Sequence, residues 1–303
     1  MRESHPRVVL GLHRSRYQRH SLAAALDMGI RAIDTAFNYH GFAAHQTLGR
    51  FRDLLPEFSV STKVGYFPGT TRAVHSLAPG QLRHALEQTN RDLGRPPNLV
   101  FLHNPEHTLS RLSPEVAREH LTSACEVLVN AVQAGLCDAW GVASWRPGPL
   151  VGLIDGDTPR PDVLMVRSGL LVAIDTLEAS ESLATRWRLP AAAVWGMSPF
   201  GGKATDPIWD KINPRLFLRS DSRRTCSPIQ AAFRAAYYLP RVGSLAVGSD
   251  DPAHLRELLA SLGAEVDGDT VTRYRTLLGR QRSGSNSPSS RSASARTGAP
   301  SST

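Results

Sequence analysis

Eight short apolar runs recur along this chain, and most are separated by stretches whose apolar residues repeat at helical spacing. The runs cover residues 8–11, 32–35, 58–64, 99–103, 140–144, 163–166, 191–197 and 244–247. Near-continuous apolar runs are how strands read when both faces of a parallel sheet are covered. The helical stretches at 22–28, 79–93, 114–134, 176–186, 229–238 and 252–262 supply the crossovers that parallel neighbours require. Eight such units in 303 residues predict a closed (β/α)8 TIM barrel. An open doubly wound sheet is the alternative, but no Gly-x-Gly-x-x-Gly follows any run.

Composition narrows the function classes. Hydrophobic residues at 41% and charged residues at 20% suit a globular domain. No apolar run approaches the roughly 18 residues that span a bilayer, and no signal-peptide apolar region follows Met1. A cytoplasmic protein without membrane contact is predicted. Cys125, Cys137 and Cys226 have no metal-ligand spacing and read as free thiols. The net charge of +8 comes from arginine: of 35 basic residues only Lys63, Lys203 and Lys211 are lysines. The arginines are scattered, with no basic helix or aromatic-interleaved strip, so no nucleic-acid partner is predicted. A further helix is predicted over 270–278, and the barrel domain over 1–280. After Arg280 the chain turns to Ser, Gly, Pro, Ala and Arg, and residues 281–303 are predicted to be disordered. Segments 65–78 and 200–228 are long enough to form substrate walls or lids.

Three of the runs end in chemistry. The second closes on Asp34-Thr35 and is followed by Tyr39; the third carries Lys63 near its end; the fourth ends at His103. In an α/β barrel the strand C-termini form the reactive rim. Each residue alone has an ordinary reading: Asp34 as a turn cap, Lys63 as a snorkelling side chain, His103 as a core histidine and Tyr39 as loop packing. In this order on consecutive strand ends they resemble the catalytic tetrad of the aldo-keto reductases, and that resemblance implies carbonyl reduction. Charge builds on oxygen when a carbonyl is reduced, so a proton donor is needed there. The resemblance implies Tyr39 as that donor, Lys63 held by Asp34 as the pair that lowers its pKa, and His103 as the group that orients the carbonyl.

The block Gly29-x-x-x-x-Asp34-Thr35-Ala36, followed by Tyr39 and Leu48-Gly49, resembles the signature of the aldo-keto reductases. Lys63 and His103 complete the order of that family's catalytic tetrad. The resemblance spans about residues 7–280 and is similar to bacterial members; the arginine-rich usage suggests an actinobacterium-like source. It implies a nicotinamide cofactor, NADPH by family habit with NADH as the alternative, and a small-molecule carbonyl substrate. That substrate would be an aldehyde or ketone, of the kind met in sugar or secondary metabolism. A monomer or weak homo-oligomer is expected.

Carried over position by position, the resemblance assigns cofactor contacts to Arg14, Ser144, Met165, Met197, Ser198, Phe200, Gly201, Gly248, Ser249 and His254. Several depart from the family pattern. Ala143-Ser144 replaces Ser-Asn, Met165 replaces a glutamine, Met197 replaces a stacking tyrosine, and Gly248 and His254 replace a lysine and an arginine. Trp145 and Trp195 are expected near the nicotinamide. Two other readings stay open: a nucleotide-binding sensor or partner subunit without turnover, and a redox-neutral isomerase or lyase using bound NAD(P).

Overall fold

The computed structural model describes residues 7–285. Eight parallel strands close into a barrel: β1 Arg7–Gly11, β2 Ala32–Asp34, β3 Ser59–Val64, β4 Leu99–His103, β5 Ala139–Ser144, β6 Val163–Arg167, β7 Val194–Met197 and β8 Ser244–Val247. Each strand pairs with its sequence neighbour, and β8 closes on β1 through Arg7↔Ser244 to Leu10↔Val247. All eight coincide with the predicted runs. The seventh is shorter than expected, because Ala191–Ala193 forms a 3-10 turn before the strand begins.

The outer layer is built from α1 Arg19–Asp27, α2 Ala44–Gly49, α3 Pro79–Leu93, α4 Pro114–Gln133, α5 Ile174–Arg186, α6 Pro228–Ala236, α7 Pro252–Ala260 and α8 Gly268–Ser285. Leu82, Leu86, Leu121 and Leu128 face inward at helical spacing and pack against Val64, Val100, Leu102 and Val142 of the strands. After β5 the crossover carries only the single turn Gly148–Val151. The cause is local: residues 146–161 are rich in proline and glycine, which end helices.

The barrel interior is filled by Val9, Leu99, Phe101, Ala143, Met165 and Ala246. Phe101 lies edge-on to Trp195 at 5.7 Å. A Cβ on Gly141 would meet the Phe101 ring at 2.7 Å, so this ring needs a glycine on the adjoining strand. The interior is a packed core, which leaves the strand ends as the place for a site.

The two long segments are structured. Residues 65–78 hold a small antiparallel hairpin, Tyr66–Phe67 with Val74–His75. Residues 200–228 hold the turns Pro207–Asp210 and Pro214–Phe217 and the helix Ser220–Thr225. Trp209, Phe217 and Leu218 anchor them to Leu170, Leu177 and Leu239. The last helix continues through Ser285, past the composition break at Arg280 where disorder was expected. Arg282 explains the extension, reaching Asp175 at 2.5 Å and Glu178 at 2.8 Å on α5. The remainder of that expectation, residues 286–303, lies outside the described residues, as do residues 1–6.

One buried histidine couples stability to pH. His45 on α2 is 2% exposed, 2.7 Å from the Thr62 hydroxyl, and burial lowers its pKa to about 4. The native state therefore holds it neutral, whereas the unfolded chain binds a proton near pH 6.5. Its contribution is complete above pH 6.5 and is lost as pH falls toward 4. At about 1.4 kcal/mol per unit this is at most about 3.5 kcal/mol. Calorimetric unfolding between pH 7.5 and 4 should show Tm falling in that window, with a shallower fall for His45→Gln.

Candidate active site

Strand register brings the sequence-predicted set together. Gly11 is paired with Asp34, Asp34 with Ser61, Lys63 with Phe101, and His103 with Ala143. Asp34, Tyr39, Lys63 and His103 therefore surround the mouth of the barrel, where a cleft of about 490 Å³ opens. A volume of that order accommodates a small ligand.

Asp34 and Lys63 form a buried ion pair, with side chains 7% and 2% exposed. The other Asp34 oxygen accepts from the Ser61 hydroxyl at 2.9 Å, and the ammonium also donates to the Thr35 carbonyl at 2.8 Å. Burial lowers the lysine pKa and the carboxylate opposes that shift. Its Nζ lies 5.3 Å from the centroid of the Tyr39 ring. Tyr39 differs from the expectation. Burial, and then the Asp34 charge, push its pKa up rather than down. The physical reason is that burial disfavours the charged phenolate and the Asp34 carboxylate repels it. Tyr39 is thus held firmly protonated.

His103 is buried, and desolvation followed by the Lys63 charge holds its pKa well below the ordinary value. Its ring is neutral and lies 6.3 Å from the Tyr39 ring and 4.9 Å from Tyr66. Its Nδ1 is buried without a hydrogen-bond partner among the described residues. Asn104 follows at φ 50°, a conformation asparagine tolerates, and its side-chain oxygen accepts from the Trp145 N–H at 3.1 Å. On the other side His13 stands edge-on to Tyr39 at 4.8 Å.

The assigned cofactor residues divide. Arg14, Met197, Ser198, Phe200, Gly248 and Ser249 line the wall formed by the ends of β1, β7 and β8. Met165 does not reach the cleft: it is fully buried in the barrel core. Ser144 is also fully buried, its hydroxyl beside Glu106 without a well-formed hydrogen bond. Gly202 lines the cleft where Gly201 was expected. His254 is exposed on the first turn of α7, 3.6 Å from Asp251, whose carboxylate caps that helix through the Ala253 N–H at 2.8 Å. Trp145 lines the cleft, but Trp195 packs inside the barrel.

The turns at the strand ends shape this wall. Ser198 sits at φ 58° and opens a turn in which a Cβ on Gly202 would meet nothing within 4 Å. A Cβ on Gly248 would strike the Gly11 carbonyl at 2.8 Å, so strands β1 and β8 approach closely there. Below the rim, Ser144 Oγ, Arg167 Nε and Ser168 Oγ are buried polar atoms without partners among the described residues. Such orphan donors suit a polar group bound at the strand ends. The Arg167 guanidinium lies 4.8 Å from the Trp145 ring centroid. Asp250 also lines the cleft, and its carboxylate accepts from the Ser15 hydroxyl at 2.7 Å and the Arg16 N–H at 2.9 Å, tying two rim loops together. Sequence reasoning missed this tie, which joins two segments distant in the chain, and Tyr66, which lies in a rim hairpin that carries no motif.

A closed parallel barrel with an ion pair, a phenol and a neutral imidazole around one rim cleft defines a barrel enzyme. The sequence profile of the Aldo/keto reductase family matches residues 13–167, and the chain belongs to that family. No curated protein matches the sequence. Among solved structures, an aldo-keto reductase of Bacillus halodurans in its holo form is similar, at TM-score 0.67 and 16% identity, covering 89% of this chain and 91% of that one. An aldo-keto reductase from Klebsiella pneumoniae in complex with NADP and acetate gives TM-score 0.65 at 18% identity, covering 90% and 91%. One from a Medee basin deep-sea metagenome library gives 0.65 at 16%, covering 89% and 90%. At these identities the structures show a shared fold.

Proposed function

We propose that the protein is an NADPH-dependent reductase of aldehydes or ketones, with Tyr39 as proton donor, Lys63 and Asp34 as its supporting pair, and His103 orienting the carbonyl. The observation that carries this reading is the convergence of a protonated phenol, a buried ion pair and a neutral imidazole on one cleft. Family membership and the NADP held by the Klebsiella protein support the cofactor. Arg14, Met197, Ser198, Phe200, Gly248 and Ser249 would hold it along their wall. When bound, it supplies the reducing equivalent.

The chain's own part is positioning and proton delivery. Tyr39 gives its phenolic proton to the carbonyl oxygen as negative charge develops there. As Tyr39 becomes a phenolate, the Lys63 ammonium beside its ring stabilises the charge that the resting state lacks. His103, being neutral, offers a hydrogen bond without a competing charge. Because neither Tyr39 nor His103 titrates near neutrality, kcat/KM for reduction should be flat between pH 6 and 8. A steep rise on acidification through that range would show that His103 must be charged and would overturn its role.

Reduction of a panel of aldehydes, followed by loss of NADPH absorbance, tests the function. Stoichiometric oxidation of NADPH is expected; no oxidation with any member, despite cofactor binding, would favour a sensor or a redox-neutral enzyme. NADH is a second cofactor reading, favoured because His254 already faces Asp251 and so meets a carboxylate rather than a free anion site. Titration of Trp145 fluorescence with the two nucleotides separates them. Tighter binding of NADPH is expected.

A further inference from the structure

Across the cleft from the wall assigned to the cofactor, one tryptophan is left uncovered. The barrel order sets β5, β4 and β3 opposite β1, β8 and β7. Trp145, directly after β5, therefore stands next to the His103 strand end and away from that wall. It is 41% exposed, whereas Trp140, Trp187 and Trp209 are buried and Trp195 is partly so. The Arg167 guanidinium lies over its ring at 4.8 Å from the centroid, and the rest of the indole opens on the cleft. On the other side of His103 the rim hairpin adds an aromatic shelf, with Tyr66 edge-on to His75 at 4.7 Å and His107 5.2 Å from His75. A carbonyl held at His103 thus has an aromatic surface on each side of it, and the larger of the two is bare.

A side chain this exposed is placed by its backbone. The Trp145 N–H donates to Glu106 Oε1 at 2.8 Å and to the Asn104 side-chain oxygen at 3.1 Å, and the Arg146 N–H donates to the same Glu106 oxygen at 2.9 Å. The Asn104 N–H returns a bond to the Ala143 carbonyl at 2.7 Å, so residues 104–106 are laced to residues 143–146. Glu106 is 3% exposed, on the turn Glu106–Leu109 that begins three residues after His103. Its other oxygen is buried without a hydrogen-bond partner among the described residues. Burial opposes the charge of this carboxyl, and the loop N–H groups favour it. Keeping an acid inside the protein is costly. What this one does is pin the two residues that carry the indole.

We propose that Glu106 is a positioning residue that fixes Trp145 as the stacking wall of the substrate pocket, and that the preferred substrates carry their carbonyl on a flat aromatic body. This rests on the reading of the cleft as a reductase site. Arg167 on the ring leaves the indole little freedom to turn, so a flat body gains contact without the entropy of ordering its partner.

The test compares aldehydes that differ in flatness. Phenylacetaldehyde and cyclohexylacetaldehyde have the same number of carbons, and a methylene insulates the carbonyl from the ring in both. Phenylacetaldehyde should be favoured in kcat/KM by about threefold to tenfold, mainly through KM, the size of one aromatic contact. Trp145→Leu should bring that ratio toward one. Glu106→Ala, or Glu106→Asp where the first does not fold, should do the same while kcat for cyclohexylacetaldehyde is largely kept. Glu106→Gln retains an acceptor for both N–H groups and should restore the ratio. Equal rates for the two aldehydes, a ratio untouched by Trp145→Leu, or Glu106 variants that lose Tm but keep the ratio would overturn the inference and leave the reductase intact. If no aldehyde is reduced, calorimetric binding of 2-phenylethanol in the presence of NADP decides. About threefold to tenfold weaker binding is then required in both Trp145→Leu and the Glu106 variant, and equal binding overturns the inference.

Discussion

Tyr39→Phe is expected to bind nicotinamide nucleotide about as tightly as the wild-type protein while reducing carbonyls about 100 to 10,000 times more slowly, the range of a lost general acid. The change removes one oxygen from a ring whose packing against His13 and beside Lys63 is otherwise kept. Steady-state reduction and a fluorescence titration of the same preparation separate the two effects. A variant that keeps its kcat would mean that the proton comes from elsewhere, and the phenol of Tyr66, which also lines the cleft, would be the next donor to examine.

Lys63→Met should be costly in two ways. It leaves Asp34 as a buried carboxylate with only the Ser61 hydroxyl as a side-chain partner. Removing one member of a buried pair destabilises by about 3–5 kcal/mol. At about 2 °C per kcal/mol for a chain of this size, Tm should fall by roughly 6–10 °C. Activity should also fall, because no positive charge remains to stabilise the Tyr39 phenolate as it forms. The double variant Lys63→Met with Asp34→Leu separates the roles: an apolar replacement of a buried pair is often near neutral. Most of the lost Tm should return, and the activity should not. Recovery of both would reduce the pair to a packing element.

These expectations differ from a simple tuning scheme in which lysine lowers the tyrosine pKa in the resting protein. Here the ammonium is committed to Asp34 and the Thr35 carbonyl, and burial dominates at Tyr39. The lysine acts when charge appears, rather than by ionising the phenol in advance. That assignment is compatible with a flat pH profile near neutrality.

Much was legible in the amino-acid sequence because the signals were local. Apolar runs of strand length, alternating with helical spacing, marked all eight strands. Strand polarity then placed Asp34, Lys63 and His103 at one rim, since in a parallel barrel every strand ends on the same side. Motif spacing alone could not say which side chains face the cleft. Met165 and Ser144 lie on strands whose alternate residues point to opposite faces, and only the closed register turned one into the core and buried the other. His254 likewise stands outside because its helix begins with Asp251 as cap.

What only the tertiary structure decided lies in loops and charge. The Asp250 tie to Ser15 and Arg16 joins residues more than 200 positions apart, and the Tyr66–His75–His107 shelf forms only when the hairpin folds onto the end of β4. The direction of the Tyr39 shift belongs to the same class. Charge pairing and desolvation depend on which groups are brought within a few ångströms and sealed from water, and no spacing along the chain encodes that distance.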